Sequence, residues 1–403
     1  MNYWLGVLFF AVGVLASVMI HEWGHFAMAR RFGCKVTEFF VGFGPKLWSV
    51  RRGETEYGVK AIPAGGYVKI IGMTDLEPVE PGDESRAFYG KPGWQRAIVL
   101  SAGSFMHMVI GFVLLMAVFM LVGVQQDPIA ARVGSLSPCV QVKLSDTCTS
   151  SSALSPSRVA GLQPSDQIVS VDGAAVTTWT EHTDKIHASA GKPMVFTVQR
   201  DGKTVSTTVT PYAATRPDPA DAKKTVTVGA IGIGPQEVLV RVGPIAAAGK
   251  SLTGIRDTIT GSVAALATLP QKVGQLVHVM FSNEPRDPNG LVGVVGAARI
   301  SGDIAADNSS FASRFGALLF LLAGFNIFVG IFNMLPLLPL DGGHVAVLAY
   351  ERMRAWWAHR RGEPEPARPD MNKLMPIAYV VFILFVGLTV LLVAADVIKP
   401  VQL

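Results

Sequence analysis

Four stretches of the chain are apolar long enough to set its class. Residues 1–29 contain one formal charge, Glu22, and residues 97–124, 315–340 and 374–395 contain none. Each reaches the roughly 20 residues that cross a bilayer as a helix. The pattern predicts a polytopic α-helical membrane protein with about four transmembrane helices. Between the second and third spans the pattern changes. Gly161 to Gly173 opens as a turn, continues as Ile168 and Ser170 alternating with Val169 and Val171, and closes at Asp172-Gly173, a hairpin signal. Met194 to Gln199 and Thr204 to Thr210 read as a strand pair joined at Asp201-Gly202, and Thr180 to Ala190 as a short helix between them. Residues 214–224, rich in Pro, Asp, Ala and Lys, read as a linker. Ile245 to Phe281 reads as an amphipathic helix with Ile255, Ile259, Val263 and Leu266 on one face, lying on the membrane surface or packing near the third span.

The expected organisation is therefore helix 1 at 1–30, a loop at 31–96, helix 2 at 97–124, an α+β insert at 125–213, and a linker with the amphipathic helix at 214–314. Helix 3 at 315–345, a second loop at 346–373 and helix 4 at 374–398 complete the chain.

Composition agrees: 50% of residues are hydrophobic and 16% charged, against about a quarter charged in a soluble protein. That excludes a cytosolic enzyme and a disordered chain. The net charge of +5 does not call for nucleic acid as a partner, because topology explains it. No Lys or Arg precedes Arg30, and the loops at 31–96 and 346–373 each carry a cluster of Lys and Arg. The positive-inside rule makes both loops cytoplasmic. Both termini and residues 125–314 then lie outside. The first span has no basic leader and ends in His and Glu rather than in small residues, so it reads as retained rather than as a signal peptide. Cys34 falls on the cytoplasmic side, as a reduced or buried thiol. Cys139 and Cys148 fall outside, where a disulfide between them is allowed and spacing does not decide it.

Candidate chemistry sits within the spans. His21-Glu22-Trp23-Gly24-His25 is an H-E-x-x-H pattern, which on a helix puts both imidazoles on one face, one turn apart, as two ligands of one metal require. Glu22 beside them can take the proton of an attacking water. A carboxylate at this depth costs about 2.5–3.5 kcal/mol on insertion scales and needs a partner or a wet cavity. The plainer alternative is that the three polar groups only bond to neighbouring helices. A catalytic zinc takes three protein ligands. The carboxylate that interrupts the third span is Asp341, after Pro336 and Pro339, which break the helix, and before Gly342-Gly343. His344 competes for the same role, and the turn position favours Asp341. His25 lies five residues before Arg30 and Asp341 shortly before Arg352, so both arrive at the cytoplasmic side of the membrane.

With these residues in view, the chain resembles the site-2 protease family of intramembrane zinc metalloproteases. "HEWGH" in a first span is paired with "NMLPLLPLDGG" at Asn333–Gly343 in a later one. "AGLQPSDQIVSVDG" resembles the core of a bacterial PDZ domain, and with "IPAGGYVKIIGM" at Ile62–Met73 it is similar to the PDZ-containing branch of regulator of sigma-E protease type. The resemblance implies a PDZ-like extracytoplasmic insert and a cytoplasmic membrane-associated β-hairpin in a protein of the bacterial inner (plasma) membrane. It implies Zn²⁺ held by His21, His25 and Asp341, with Glu22 as catalytic base. Asn333 corresponds to an Asn that holds substrate or steadies the reacting carbonyl. Asn326, two turns earlier on the same face, either helps it or merely packs. Gly65-Gly66 offers a strand edge that can hold an unwound substrate segment. The implied substrate is a single-span regulatory protein such as an anti-sigma factor, first trimmed outside the membrane, with the PDZ-like insert as size filter or tail sensor.

Two departures stand out. Ser165 replaces a usual Gly, and the second span carries Gly103-Ser104-Phe105-Met106-His107 where the family commonly has Gly-Pro followed by Asn. His107 either takes over the Asn's hydrogen bond or is a satisfied intramembrane His. A catalytically silent PDZ-bearing scaffold is the competing class, and it predicts loss of Glu22 or of a ligand, none of which is missing. A transporter predicts paired intramembrane charges or internal repeats, and neither occurs.

Overall fold

The computed structural model describes residues 2–73, 79–125, 129–142, 148–217, 225–236, 238–282, 284, 286–287, 290–364, 366, 369 and 371–401. The chain forms two compact units, Met1–Val122 with Val242–Leu403, and Gly123–Arg241.

The first unit begins with α1 (Tyr3–Arg31), capped by the Asn2 side chain at its start and by Arg30 and Arg31 at its end, where the helix dipole favours cations. Next come β1 (Val36–Arg52) and β2 (Thr55–Ile70), which curl around each other. Phe40 faces both Tyr67 and Gly58, and Val41 both Gly66 and Val59, so β2 flanks the first half of β1 on two sides. Phe43, Leu47, Trp48 and Ile62 stay exposed on this hairpin. Helix α2 (Gly93–Leu121) packs on α1.

The second unit is β-rich: β3 (Val124–Gln125), β4 (Val133–Leu136), α3 (Pro156–Val159), β5 (Gln167–Val171), β6 (Ala174–Ala175), α4 (Trp179–His187), β7 (Met194–Arg200), β8 (Lys203–Val209), β9 (Tyr212–Pro217), β10 (Thr225–Ala230), β11 (Ile233–Pro235) and β12 (Leu239–Val240). Strands β6-β5-β7-β8 form one sheet, and the pairs β9/β10, β4/β11 and β3/β12 form three more. Both Asp-Gly turns occur, with left-handed φ at Asp172, Gly173, Asp201 and Gly202. Met194, Phe196 and Val198 point inward and Val195 outward, the period-two pattern of a half-buried strand. They join Leu162, Ile168, Val171 and Ile186 in one core. Ser165 takes φ 74°, the left-handed conformation that a Gly would adopt without strain.

The expected linker at 214–224 is corrected in its first part. Residues 214–217 belong to β9, because β10 supplies hydrogen-bonding partners for their backbone, and residues 218–224 lie outside the described residues. The unit accordingly extends to Arg241 rather than ending near 213. Cys139 and Cys148 are bonded, and Cys34 is a buried free thiol.

His182 in α4 is fully buried against Trp179. Burial pulls its imidazole from the ordinary 6.5 down to about 4, with the Thr178 carbonyl and Glu181 opposing weakly. Below pH 6.5 the unfolded chain takes up a proton that the folded insert refuses, so stability is lost as pH falls from 6.5 towards 4 and is unaffected above. The full loss is on the order of 3 kcal/mol. Protection factors of the amides over residues 167–209, taken against the intrinsic exchange rate at each pH, should fall across that window in wild type and lose this dependence in His182→Phe.

The first unit resumes with α5 (Pro244–Ala267), α6 (Leu269–Phe281), α7 (Val294–Ala306), α8 (Phe311–Asn333), α9 (Asp341–Arg361) and α10 (Met371–Ile398). The helix expected over 245–281 is thus two helices, the second starting around Pro270, whose missing N–H suits a first turn. Of the two placements open for this stretch, packing near the third span holds rather than the membrane surface: α5 packs on α2 and α8, with Ile255 against the cluster of Leu115, Ala323 and Ile327. The sequence reading did not anticipate α7, which packs on α1, where the Ser301 hydroxyl donates to the Gly6 carbonyl at 2.8 Å. Helices α1, α2, α8 and the 26 residues Lys373–Ile398 of α10 are long and apolar enough to cross a membrane. Near its C-terminal end α10 is clasped by a buried ion pair, Asp396 with Arg286 at 2.9 Å. The same carboxylate accepts from the Gly293 and Gly296 amides at the start of α7, where the helix dipole favours an anion.

Candidate metal centre

The centre is built where α1, α2 and the start of α9 meet. His21 and His25 stand one turn apart on the α1 face turned to α2, and both are buried. Two glycines allow that approach. A Cβ on Gly24 would lie 2.7 Å from the Ala102 carbonyl oxygen. A Cβ on Gly103 would lie 2.4 Å from His25 Nε2 and 2.5 Å from His21 Cε1. The bare Gly103 backbone is thus the wall on which both imidazoles rest. His25 Nδ1 is 2.7 Å from the Val99 carbonyl oxygen, and a carbonyl only accepts, so Nδ1 carries the proton and Nε2 is left with a free lone pair.

The third member comes from the interrupted helix. After α8 ends at Asn333, residues 334–340 form a tight loop in which Pro336 and Pro339 donate no backbone hydrogen bond. Helix α9 then starts at Asp341, so the span expected over 315–345 is two helices, and the second loop contains a helix to Arg361. Gly342 and Gly343 are packed onto this loop, where their Cβ atoms would meet the Met334 carbonyl oxygen at 2.2 Å and the Leu337 carbonyl carbon at 2.6 Å. A two-pronged ion pair of Arg96 with Glu351, 2.8 and 3.1 Å, ties α9 to α2.

Asp341 Oδ2 lies 3.5 Å from His21 Nε2 and 3.4 Å from His25 Nε2, and the two Nε2 atoms are 3.2 Å apart. The triangle is nearly equilateral. Ligands about 2.0–2.1 Å from a tetrahedral zinc stand about 3.3 Å from each other, so these donors fit that ion. Asp341 Oδ2 is also buried without a hydrogen-bond partner, an acceptor that a cation would satisfy. The three side chains are a metal-competent group, and His344 is not part of it.

Glu22 is half-buried beside the two His, and the Val68 backbone N–H of β2 faces its carboxylate. Gly66, on the same strand, sits against α1, where a Cβ would be 2.6 Å from Met19 Sδ. Gly65 adopts φ 136°, a conformation for Gly alone. Both lie within β2 rather than in a free loop. Asn333 is the last residue of α8, partly buried. Asn326 is fully buried, its Nδ2 donating to the Leu322 carbonyl and its Oδ1 2.9 Å from His107 Nδ1. The His107 ring centroid is 5.0 Å from that of His21. His107 and Asn326 therefore satisfy each other directly behind the centre. Cys139 and Cys148 belong to the other unit. Sequence reasoning gave neither Gly24 nor Gly103 a packing role; small residues inside apolar spans are the signal that could have found them.

Comparison with known proteins decides the family. The model of peptidase family M50 matches residues 9–364, a stretch that takes in His21, Glu22, His25 and Asp341. The chain belongs to peptidase family M50. This M50 peptidase is 39% identical to the zinc metalloprotease Rip1 of Mycobacterium tuberculosis over 412 residues, 99% of this chain and 98% of the relative. It is 36% identical to Rip1 of Mycolicibacterium smegmatis over the whole of both chains. A putative zinc metalloprotease of Brucella suis is 31% identical over 84% of this chain and 83% of its own. The M50 chain is a zinc metalloprotease of the site-2 protease family, and its four apolar helices make it a multi-pass membrane protein with a β-rich insert.

Proposed function

We propose that this M50 peptidase cleaves the transmembrane segment of a single-span regulatory protein, with an anti-sigma factor as the substrate class. His21, His25 and Asp341 hold zinc, and Glu22 is the catalytic base. The observation that carries this reading is the near-equilateral triangle of Nε2, Nε2 and Oδ2 beside Glu22, on helices that can cross a membrane. Zinc, when bound, supplies a Lewis acid for the scissile carbonyl and for water. Glu22 takes the proton of the attacking water and returns it to the leaving amine. Asn333 steadies the reacting carbonyl with its amide, and the His107–Asn326 pair braces the His21 ring from behind. A helical substrate hides its carbonyls in internal bonds, so it must unwind before attack. The edge of β2 over residues 66–70, adjoining Glu22, receives the unwound segment by strand addition.

The insert acts as a PDZ-like module that senses the trimmed end of the substrate, and the basic loops at 31–96 and 346–373 face the cytoplasm. The chain then sits in the inner membrane with the insert and both termini outside.

The test is cleavage of a tagged single-span helix by the purified chain in liposomes, with zinc content measured alongside. Wild type is expected to hold about one zinc per chain and to cut inside the membrane segment, and Asp341→Ala to lose both. Cleavage confined to soluble peptides, or full zinc in Asp341→Ala, would overturn the reading.

A further inference from the structure

A cavity of about 600 Å³ opens between α9, α10 and the loop that precedes Asp341. On α9 it is bordered by Gly343, Val347, Tyr350 and Arg354, and on α10 by Lys373, Ile377 and Val381. Each set recurs at three or four residues, so each is one face of its helix. The faces are graded. Leu337, Leu338, Val347, Ile377 and Val381 make the inner part apolar, Arg354 and Lys373 border its other end, and among the described residues no carboxylate lines it. From Gly343 to Arg354 the groove runs about 16 Å along α9. Beyond Arg354 the helix continues into half-exposed Trp356 and Trp357, with the Arg360 guanidinium 4.0 Å above the Trp356 ring and that of Arg361 5.6 Å above Trp357. An aromatic and basic helix end is the composition that settles at a membrane–water boundary beside anionic headgroups.

We propose that this groove is a binding site for one anionic phospholipid. An acyl chain lies along the apolar faces of α9 and α10, and the headgroup phosphate sits between Arg354 and Lys373. Size separates this occupant from a substrate helix, which at about 10 Å across and 30 Å long fills on the order of 2,000 Å³. Charge selects the lipid: the two cations Arg354 and Lys373 at one end of the groove favour an anionic headgroup over a zwitterionic one. The inner end of the groove is the loop at 336–338 together with Gly343, two residues past Asp341, so the bound lipid wedges the segment that carries the acidic member of the metal group.

The test uses the full chain in nanodiscs of equal phosphatidylglycerol and phosphatidylcholine, extracted and weighed by native mass spectrometry. It reads lipid without reading cleavage, so failure of the protease reading would leave its result untouched. Wild type is expected to retain one phosphatidylglycerol in preference to phosphatidylcholine. The double substitution Arg354→Gln with Lys373→Gln should lower that retention roughly tenfold or more. Val347→Trp, which fills the apolar part and keeps both cations, should displace the lipid, with both variants unfolding at the wild-type temperature. Equal retention of the two lipids by wild type, or undiminished phosphatidylglycerol in the two variants, would overturn the proposal. Displacement of the lipid by an added single-span substrate helix would also overturn it, and would give the groove to the substrate.

Discussion

Glu22→Gln is expected to lower cleavage by about 10²–10⁴-fold, the range a positioned acid–base group supplies, while zinc content stays at the wild-type level. The reason is geometric. Glu22 belongs to no edge of the triangle formed by His21, His25 and Asp341, so its amide replacement leaves every candidate donor in place. Gln has nearly the shape of Glu and still accepts from the Val68 amide that faces this position, but it does not take up a proton at neutral pH. The measurement pairs metal analysis with cleavage of a single-span helix, both on protein in liposomes. Loss of zinc together with activity would make Glu22 a ligand rather than a base, and undiminished cleavage would remove it from the chemistry altogether.

A larger structural effect is expected from Gly103→Ala, which adds one methyl group to a residue that is neither ligand nor base. That methyl carbon would stand 2.4–2.6 Å from atoms of His25 and His21, where ordinary carbon contacts lie near 3.5–4.0 Å. Relief requires α1 and α2 to separate, or both imidazoles to swing, by about 1 Å. Overpacking of this kind costs about 1–3 kcal/mol of stability. A 1 Å misplacement of reacting groups costs about 10²-fold in rate. The variant should therefore lose cleavage and most of its zinc with all three candidate ligands unchanged in sequence. Gly387→Ala, in α10, meets nothing within 4 Å and serves as the neutral control. Equal zinc and equal cleavage in the two variants would mean that the imidazoles do not rest on the Gly103 backbone.

Much of the local structure was legible because it is written in short periods. The four apolar stretches became four helices able to span a membrane. Asp172-Gly173 and Asp201-Gly202 turned where their left-handed preference requires, and Pro336 and Pro339 ended α8 before Asp341. The H-E-x-x-H spacing alone fixes two imidazoles on one face, since i and i+4 coincide on any α-helix. Other features were missed for an equally local reason. Residues 214–217 look like a linker because Ala214 and Pro217 carry little β preference and Thr215 is the lone β-branched residue among them, and they become a strand only when β10 supplies hydrogen bonds. The amphipathic stretch of α5 is compatible with the membrane surface and with the third span alike, and in the fold it covers α2 and α8. An apolar helix face satisfies itself equally against lipid and against another span, so its pattern does not say which.

The sequence by itself determined the class of the protein, the spans, the pair of His with Glu22 between them, and Asp341 as the carboxylate that breaks into the third span. Those follow from hydrophobic length, helical period and the backbone limits of Pro and Gly, all of which act within a few residues. Only the tertiary structure decided that Asp341 Oδ2 comes within 3.5 Å of both imidazoles, that Gly103 makes room for them, and that Asn326 answers His107 across 219 residues of chain. It likewise decided that Cys139 and Cys148 meet. The first three are contacts between segments remote in sequence, set by how closely whole helices approach, and small residues in a span mark where an approach can occur without naming the partner. The cysteines are nine residues apart, and their bond forms only as the insert folds.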